Sequence, residues 1–406
     1  MGIVMADKLV TLRSKLNPLY ASLFAESSVF DRPEVVETRA TCDTCAMCDH
    51  GQVAPVEMDY FRPDAKCCTY YPSLANYLVG AILADEGEEL AEGRRRLREK
   101  IASRIGVTPL YVSAPRKYSL LYVAARGSGA FGRSKALLCP YYDAENEGRC
   151  TVWRYREAVC STYFCKYTAG KPGWEFWNTM KGYLSHVEGM LSRATAWTVD
   201  AAMNQPTMEP HQLSIEDLED LPPQASEYAH YWGKWVGREE QFYVACYEHA
   251  RKVKSEDFAK NVDETADGRR YVAELAARYD AITAKTVLPT SLVRAPGMKT
   301  RYAGESVVVT SYNPYDAFSL EKELYDTLGL FDAKQTLEEN LSRLDKEHNV
   351  QLAPELLQYL YTHGVVVAPD PTKPDPNAPK PPEALHAKAL PSNRQDRRAQ
   401  KVKKRR

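Results

Sequence analysis

The chain has 406 residues, of which 44% are hydrophobic and 26% are charged, and these values suit a globular protein of two or three domains. The formal net charge of −1 excludes an overall electrostatic bias toward nucleic acid or an anionic membrane surface. No stretch approaches the roughly 20 apolar residues of a membrane-spanning helix, and residues 1–31 do not have the layout of a secretion signal, so we expect a cytoplasmic protein with reduced thiols and no membrane partner.

Residues 1–40 are predicted to form short N-terminal helices. Five leucines recur at helical spacing between residues 9 and 23. Asn17 and Pro18 interrupt this pattern as a helix N-cap followed by proline at the first helical position. We therefore expect two short helices rather than one.

Residues 41–170 are predicted to form an irregular cysteine-rich domain that is stabilised by metal. Ser73 is expected to cap a helix that places Leu74, Tyr77 and Leu78 on one face. A second, highly charged helix is predicted for residues 88–103 and a short strand for residues 120–124.

A glycine-rich motif follows that predicted strand. Residues 127–132 match the G-x-G-x-x-G pattern of dinucleotide-binding loops, which should open a helix. Arg133, Ser134 and Lys135 come next and run into Cys139 within a few residues. A flexible loop is therefore favoured over a cofactor site.

Residues 171–295 are predicted to form a helical domain. A polar stretch over residues 205–224 separates a long first helix from one over residues 225–253, and a further helix is predicted for residues 268–285. We interpret the apolar stripes of these helices as core packing. The stripe of the first helix consists of Phe176, Met180, Tyr183, Leu184, Val187 and Leu191.

Residues 296–369 are predicted to form a small α+β unit with a winged-helix-like layout. The expected order begins with a strand at residues 307–309 and a helix at residues 319–328. A second helix begins at the capping box of Thr336 and Glu339. A third helix at residues 354–361 and a strand at residues 365–367 complete the unit. The unit is faintly similar to peptide-recognition modules and to DNA-binding winged helices. Acidic side chains outnumber basic ones in its helices, so a structural cap, or a protein or peptide partner, is favoured over nucleic acid.

Residues 370–406 are predicted to be disordered. A proline-rich linker comes first and cannot pack a core. The last 13 residues contain eight Lys or Arg. This basic tail is the part of the chain through which nucleic acid could bind.

Cysteine spacing carries the main functional signal. Two-residue gaps let a tight turn present several thiolates to one metal centre. The alternatives are buried free cysteines, which polar neighbours such as Asp43 and Lys66 disfavour, and disulfides, which a reducing compartment disfavours. The predicted metal ligands fall into three groups: Cys42, Cys45 and Cys48; Cys67 and Cys68; and Cys139, Cys150, Cys160 and Cys165.

Two further residues carry ligand atoms outside these groups. Cys246 lies within a helical stretch beside Phe242 and Ala245 and is interpreted as an ordinary core thiol. His50 follows Cys48 by two residues and is a weaker candidate for completing a site.

The cysteine motifs resemble those of the YkgJ-type cysteine-cluster family, described as a zinc- or iron-chelating domain. The matching pieces are the first cysteine group, Cys139-Pro140-Tyr141, the Gly148-x-Cys150 motif, and Arg156 four residues before Cys160. Glu157 stands where the family usually has proline. The resemblance covers roughly residues 41–167 and implies remote similarity to flagellin lysine N-methylase, which is thought to combine an iron–sulfur cluster with S-adenosylmethionine.

The resemblance leaves the metal and the function open. A closed zinc site and a four-cysteine iron–sulfur cluster both need four ligands, so nine cysteines could fill two sites. An iron–sulfur cluster is preferred over zinc. Three functions follow: a metalloenzyme that modifies a protein or peptide, a zinc-stabilised interaction scaffold, and a metal-handling or redox-relay protein.

Overall fold

The computed structural model describes most of the chain and shows a mainly α protein. No helix in the described part is both long and apolar enough to cross a lipid bilayer. The described residues are 10–25, 28–35, 45–48, 60–125, 129–146, 148–202, 204 and 214–370.

Fourteen α-helices are present in the described residues. The segment that begins at Ser255 continues from its α-helix into a π-helical turn, Ala259–Asp263. The α-helices, in chain order, are α1 Pro18–Ala21, α2 Asn76–Ala84, α3 Ala91–Ser103, α4 Arg116–Ala124, α5 Ala158–Thr162, α6 Gly170–Val199, α7 Ile215–Glu219, α8 Ala225–Trp232, α9 Glu239–Ala250, α10 Ser255–Phe258, α11 Ala266–Thr283, α12 Lys322–Leu328, α13 Leu337–His348 and α14 Pro354–Thr362.

The strands are short and form small antiparallel sheets. Three sheets are two-stranded, with pairs β1–β2, β3–β4 and β5–β9, and the fourth has the order β6–β7–β8. The strands are β1 Leu74–Ala75, β2 Tyr111–Val112, β3 Tyr142–Asp143, β4 Arg149–Cys150, β5 Val293–Arg294, β6 Lys299–Ala303, β7 Ser306–Thr310, β8 Phe318–Glu321 and β9 Val366–Val367.

Helix α6 is the long central element of the main core. Its predicted apolar stripe is confirmed, since Phe176, Met180, Tyr183 and Leu184 are fully buried. Helix α6 packs against α5, α9 and α11, while α2 packs against α9. Every residue of α2 from 76 to 83 is buried, as expected of a helix that is apolar all round.

A second core lies in the C-terminal part of the chain. Val307 and Val309 of β7 pack with Leu328, Phe331 and other apolar residues of α12 to α14. The strand at β7, the capping box of Thr336 and Glu339, and the helix α14 are as predicted. The strands β5, β6 and β8 were not predicted.

The N-terminal prediction is confirmed where residues are described. Asn17 Oδ1 accepts a hydrogen bond from Leu19 N–H at 3.0 Å and separates a 3₁₀ turn, Leu12–Lys15, from α1. The charged helix predicted for residues 88–103 is also present, as a 3₁₀ turn followed by α3.

Several local predictions are wrong. Ser73 does not cap a helix, because its hydroxyl bonds that of Ser113 at 2.7 Å and the chain first forms β1. Residues 120–124 belong to helix α4 rather than to a strand. The helix predicted for residues 225–253 is broken between α8 and α9, where Gly233 and Gly237 have positive φ. Residues 319–321 belong to β8, so the helix begins only at Lys322.

Candidate metal centre and cavity

The adjacent cysteines Cys67 and Cys68 end a tight turn. Lys66 N–H donates to Arg62 C=O at 2.8 Å, and Lys66 has a φ of 51°, in the left-handed region that favours glycine. The Cys68 thiol donates a hydrogen bond to the Cys67 sulfur. This hydrogen bond lowers the pKa of Cys67 and raises the pKa of Cys68. Two consecutive residues thus present sulfur atoms in contact.

A first cysteine set surrounds Cys67. Cys45 and Cys67 both act electrostatically on Cys48 and on Cys165. Burial, followed by the effect of Cys45, raises the pKa of Cys48 to about 12. This set lies among apolar and aromatic side chains, including Met47, Phe61, Phe131, Tyr163 and Tyr315. The first cysteine set consists of Cys45, Cys48, Cys67 and Cys165.

A second cysteine set surrounds Cys68. Cys139 and Cys150 act electrostatically on both Cys68 and Cys160. Cys139 N–H donates to Cys68 C=O at 2.7 Å, and Cys150 lies opposite Tyr142 in the β3–β4 pair. The second cysteine set consists of Cys68, Cys139, Cys150 and Cys160, and it adjoins the first set, because Cys67 also acts electrostatically on Cys139.

Two motifs that carry the family resemblance position this second set. Gly148 has a φ of 66°, and a Cβ there would lie 2.3 Å from the Tyr142 hydroxyl, so glycine is needed two residues before Cys150. Arg156 donates to Cys160 C=O at 2.9 Å. Glu157, in place of the family's proline, accepts from Cys160 N–H at 2.8 Å and caps α5.

The sets cut across the groups seen in the sequence. The adjacent pair is divided between them, and Cys165 joins the first set while the other three late cysteines join the second. Cys42 and His50 lie outside the described residues. Cys246 is fully buried in the helical core, as predicted, where burial raises its pKa to about 12.

The donor chemistry fits a metal, because each set offers four sulfur ligands. None of the nine described cysteines forms a disulfide with another. A tetrahedral zinc site holds its sulfurs about 3.8 Å apart, given Zn–S bonds of about 2.3 Å. Among the described residues, however, no three Cys, His, Asp or Glu side chains are placed to hold a metal ion. The described residues therefore show grouped thiols without a closed single-ion site.

A cavity of about 820 Å³ separates the two sets from the C-terminal sheet. Cysteines of both sets line it, namely Cys67 and all four residues of the second set. Five Lys or Arg side chains line it with one carboxylate, Glu157. The aromatic lining residues are Tyr70, Tyr122, Phe131, Tyr141, Trp153, Tyr163 and Tyr315.

The aromatic residues near the late cysteines fall into two groups. Tyr141, Trp153 and Tyr163 line the cavity beside the thiols. Phe164 instead packs on Trp177 with ring centroids 4.8 Å apart, and the Tyr155 hydroxyl donates to Asp85 at 3.0 Å. Shielding of the thiols and plain packing therefore both occur.

One face of the C-terminal sheet forms the far wall of the cavity. Lys299 is paired with Thr310 and Arg301 with Val308, and all four residues line the cavity. The alternate residues of β7 point into the C-terminal core. The sequence did not predict that the C-terminal unit forms this wall. Strand β6 contains no buried apolar residue, so no apolar pattern marks it in the sequence.

The segment between β7 and β8 joins the sheet to the first cysteine set. Asn313 Nδ2 donates to Cys165 C=O at 2.8 Å, and the Asp316 carboxylate accepts from Tyr167 N–H at 3.2 Å. Tyr315 packs edge-on against Phe61 with ring centroids 5.5 Å apart. These contacts fix the sheet over the cavity.

Two buried carboxyl groups lie behind the second set. Glu188 is 5% exposed and accepts from Ala158 N–H at 2.7 Å and from Tyr20 O–H at 3.1 Å. Burial, followed by the charge of Glu157, raises its pKa well above the usual value. Sequence reasoning missed Glu188, although its place four residues after Leu184 and three before Leu191 puts it on the buried stripe of α6.

The glycine-rich motif is only partly described. Residues 126–128 lie outside the described part, and the element before them is helix α4. Gly132 N–H donates to the Thr69 hydroxyl at 2.7 Å, and a Cβ at Gly132 would lie 2.2 Å from the Phe61 ring. Gly132 thus serves close packing beside the first cysteine set.

Comparison with family models, with curated proteins and with solved structures finds no match to this chain. The resemblance to the YkgJ-type family therefore depends on the cysteine motifs alone.

Proposed function

We propose that this chain is a cytoplasmic metalloprotein whose two cysteine sets bind iron–sulfur clusters, or zinc, in order to modify a protein or peptide. The observation that carries the proposal is the convergence of eight described cysteines, from three distant groups, into two sets of four beside one cavity. Buried free thiols without a shared role have no reason to gather in this way, and the number in each set matches the need of a closed site.

The cavity favours a reactive centre over a purely structural one. A zinc ion that only holds a scaffold together is enclosed by its ligands. Here the thiols border an open volume of about 820 Å³, which is within the range of pockets that take small organic groups. A cluster is preferred over zinc because it can supply one-electron chemistry to a group bound in the cavity.

Each set would supply the four thiolates of one centre. An iron–sulfur cluster supplies one-electron transfer when bound. The protein's own residues would shield and position the centre. The aromatic lining excludes water, and Glu157 orders the first turn of α5. Arg156 stacks over Trp153, 3.4 Å from the ring centroid, which fixes the guanidinium that donates to the Cys160 carbonyl.

The C-terminal unit fits the same proposal as a winged-helix-like module that meets a protein or peptide partner. Its described elements are the three-stranded sheet β6–β7–β8, followed by α12, α13 and α14. One face of this sheet already forms the cavity wall, so a bound partner would lie close to the thiols. The basic tail lies outside the described residues, and nucleic acid binding through it remains a prediction.

Two other functions compete with this proposal. A zinc-stabilised interaction scaffold is favoured by the extensive aromatic packing around the first set. A metal-handling or redox-relay protein is favoured by the hydrogen bond between the thiols of Cys67 and Cys68, because adjacent thiols can exchange a metal or form a disulfide.

Anaerobic purification followed by metal, sulfide and absorption analysis tests the proposal. We expect iron, acid-labile sulfide and broad visible absorbance. A colourless protein with one or two tightly bound zinc ions would contradict the iron–sulfur proposal and support a zinc-stabilised scaffold. A protein that carries neither metal after anaerobic expression with both supplied would overturn metal binding altogether.

A further inference from the structure

Among the described residues, no strand pairs with the outer edge of β6. Successive residues of a middle antiparallel strand direct their backbone hydrogen bonds to opposite neighbouring strands. Lys322 N–H donates to Glu305 C=O, so residue 305 bonds toward the side of β8. Residues 306, 308 and 310 therefore bond toward β6. The partners of these residues are Ala303, Arg301 and Lys299. The backbone N–H and C=O groups of Thr300 and Tyr302 therefore point away from the sheet, and no described backbone group pairs with them.

This edge adjoins the cavity and is basic. Lys299, Thr300 and Arg301 all line the cavity. Together with Arg133, Arg156 and Lys181 they give its wall five positive side chains against the one carboxylate of Glu157. An edge strand with open hydrogen-bonding groups accepts an added strand, and this one would accept a strand of negative charge.

We propose that β6 binds an extended acidic segment of a partner protein as a fourth strand of the sheet, and that this segment is the substrate delivered to the cysteine sets. The substrate role rests on the proposed function, whereas the docking itself depends only on β6 and the cavity.

The register specifies the segment further. Directly paired residues on neighbouring strands share a face of the sheet. Residues opposite Lys299 and Arg301 therefore face the cavity, two positions apart, and should be Asp or Glu. The residue between them lies on the face of Tyr302, whose ring centroid is 6.2 Å from that of Tyr325, and should be apolar. The expected motif is acidic–apolar–acidic.

Fluorescence anisotropy of the full-length, metal-loaded protein tests the docking. The probe is a labelled peptide of alternating Glu and Val, eight residues long. One comparison peptide replaces Glu by Lys, and another keeps every Glu but carries N-methyl groups on the valines, which remove the backbone donors of one edge. We expect binding of the first peptide and at least a roughly tenfold loss for each comparison peptide, since both charge and strand bonds contribute.

Variants of the protein sharpen the test. Thr300→Pro removes an outward N–H and leaves the bonds to β7 intact, because proline is tolerated on the open side of an edge strand. It should lose peptide binding, as should Lys299→Glu combined with Arg301→Glu. Lys346→Glu, on the exposed end of α13, reverses a single positive charge away from β6 and should bind as the parent does.

The outcomes separate the two proposals when metal is measured on the same samples. Equal binding of the N-methylated peptide, unchanged binding by Thr300→Pro, or tighter binding of a single-stranded oligonucleotide would overturn strand addition by an acidic peptide, even if metal is present. Specific peptide binding by a protein that never holds metal would uphold the docking and overturn the proposed function.

Discussion

Gly80 of α2 lies directly against Tyr243 of α9: a Cβ at residue 80 would be 1.9 Å from the Tyr243 carbonyl oxygen. The neighbouring atom belongs to the backbone and cannot move aside as a side-chain end could. Helices α2 and α9 therefore approach each other as closely as they do only because residue 80 has no side chain.

Gly80→Ala should destabilise the protein by about 3 kcal/mol or more, because overpacking a rigid contact commonly costs about 1–3 kcal/mol and here a backbone must shift. Gly189→Ala in α6 is the matched control, since its Cβ would have ordinary contact at 3.8 Å. The control should be neutral or stabilise by about 0.5–1 kcal/mol. Urea denaturation measures both, and equal stability of the two variants would contradict the close approach.

Replacing cysteines set by set should remove metal set by set. The double variant Cys45→Ser, Cys48→Ser should lose the metal of the first set. The double variant Cys139→Ser, Cys150→Ser should lose the metal of the second set. Each variant should keep roughly half of the total metal. Cys246→Ala, in the helical core, should keep full metal content. Metal analysis of the purified variants is the measurement. Loss of all metal from either double variant, with the fold intact by circular dichroism, would contradict two separate sets.

Lys100 should make stability depend on alkaline pH. Burial lowers its pKa from 10.5 to about 8, with Asp220 opposing the shift, and its ammonium group lies 5.4 Å from the centre of the Tyr71 ring. Below pH 8 the folded protein must keep a poorly solvated charge. Between about pH 8 and 10.5 the unfolded chain binds more protons, so stability should rise with pH in that window.

Lys100→Met removes this penalty and should raise stability at pH 7 by on the order of 2–3 kcal/mol, since one pKa unit corresponds to about 1.4 kcal/mol. Lys252→Met, at a largely exposed lysine, is the control and should change little. Thermal melts at pH 7 and pH 10 compare them. The prediction fails if the gain of Lys100→Met is as large at pH 10 as at pH 7.

Asn313→Ala should loosen the C-terminal sheet from the cysteine region. The side chain is 6% exposed, donates to Cys165 C=O and accepts from Tyr315 N–H, so its loss leaves buried groups unpaired at a cost of about 1–3 kcal/mol. Hydrogen exchange of residues 311–317 should quicken. Asn261→Ala, whose amide only bonds the exposed end of α10, should leave exchange there unchanged, and equal exchange in both variants would contradict the linking role.

The sequence predicted elements best where one local signal dominates. The apolar stripe of α6 and the capping box of Thr336 needed no tertiary information. The strand prediction for residues 120–124 is wrong because a short apolar run fits a strand or a helix equally. Here the run continues the helix that begins at Arg116. Strand β6 left no signal, since four of its five residues are exposed and none of them is buried.

The candidate site shows a different limit. Spacing singled out the cysteines as candidate ligands, yet it could not group them in space, because the grouping depends on tertiary packing around the turn at Lys66. Nor could spacing bring residues 299–317 to the cavity, since about 130 residues separate them from Cys165 and only tertiary packing joins the two regions.

The cavity wall formed by β6 and β7 also implies an order of events during synthesis. The ribosome releases the cysteine region long before residues 299–317, and domains form as their segments emerge. Until the C-terminal sheet arrives, the thiols face solvent on one side. Delivery of metal by another protein would find them accessible in that interval, and completion of the chain would then close the chamber over its contents.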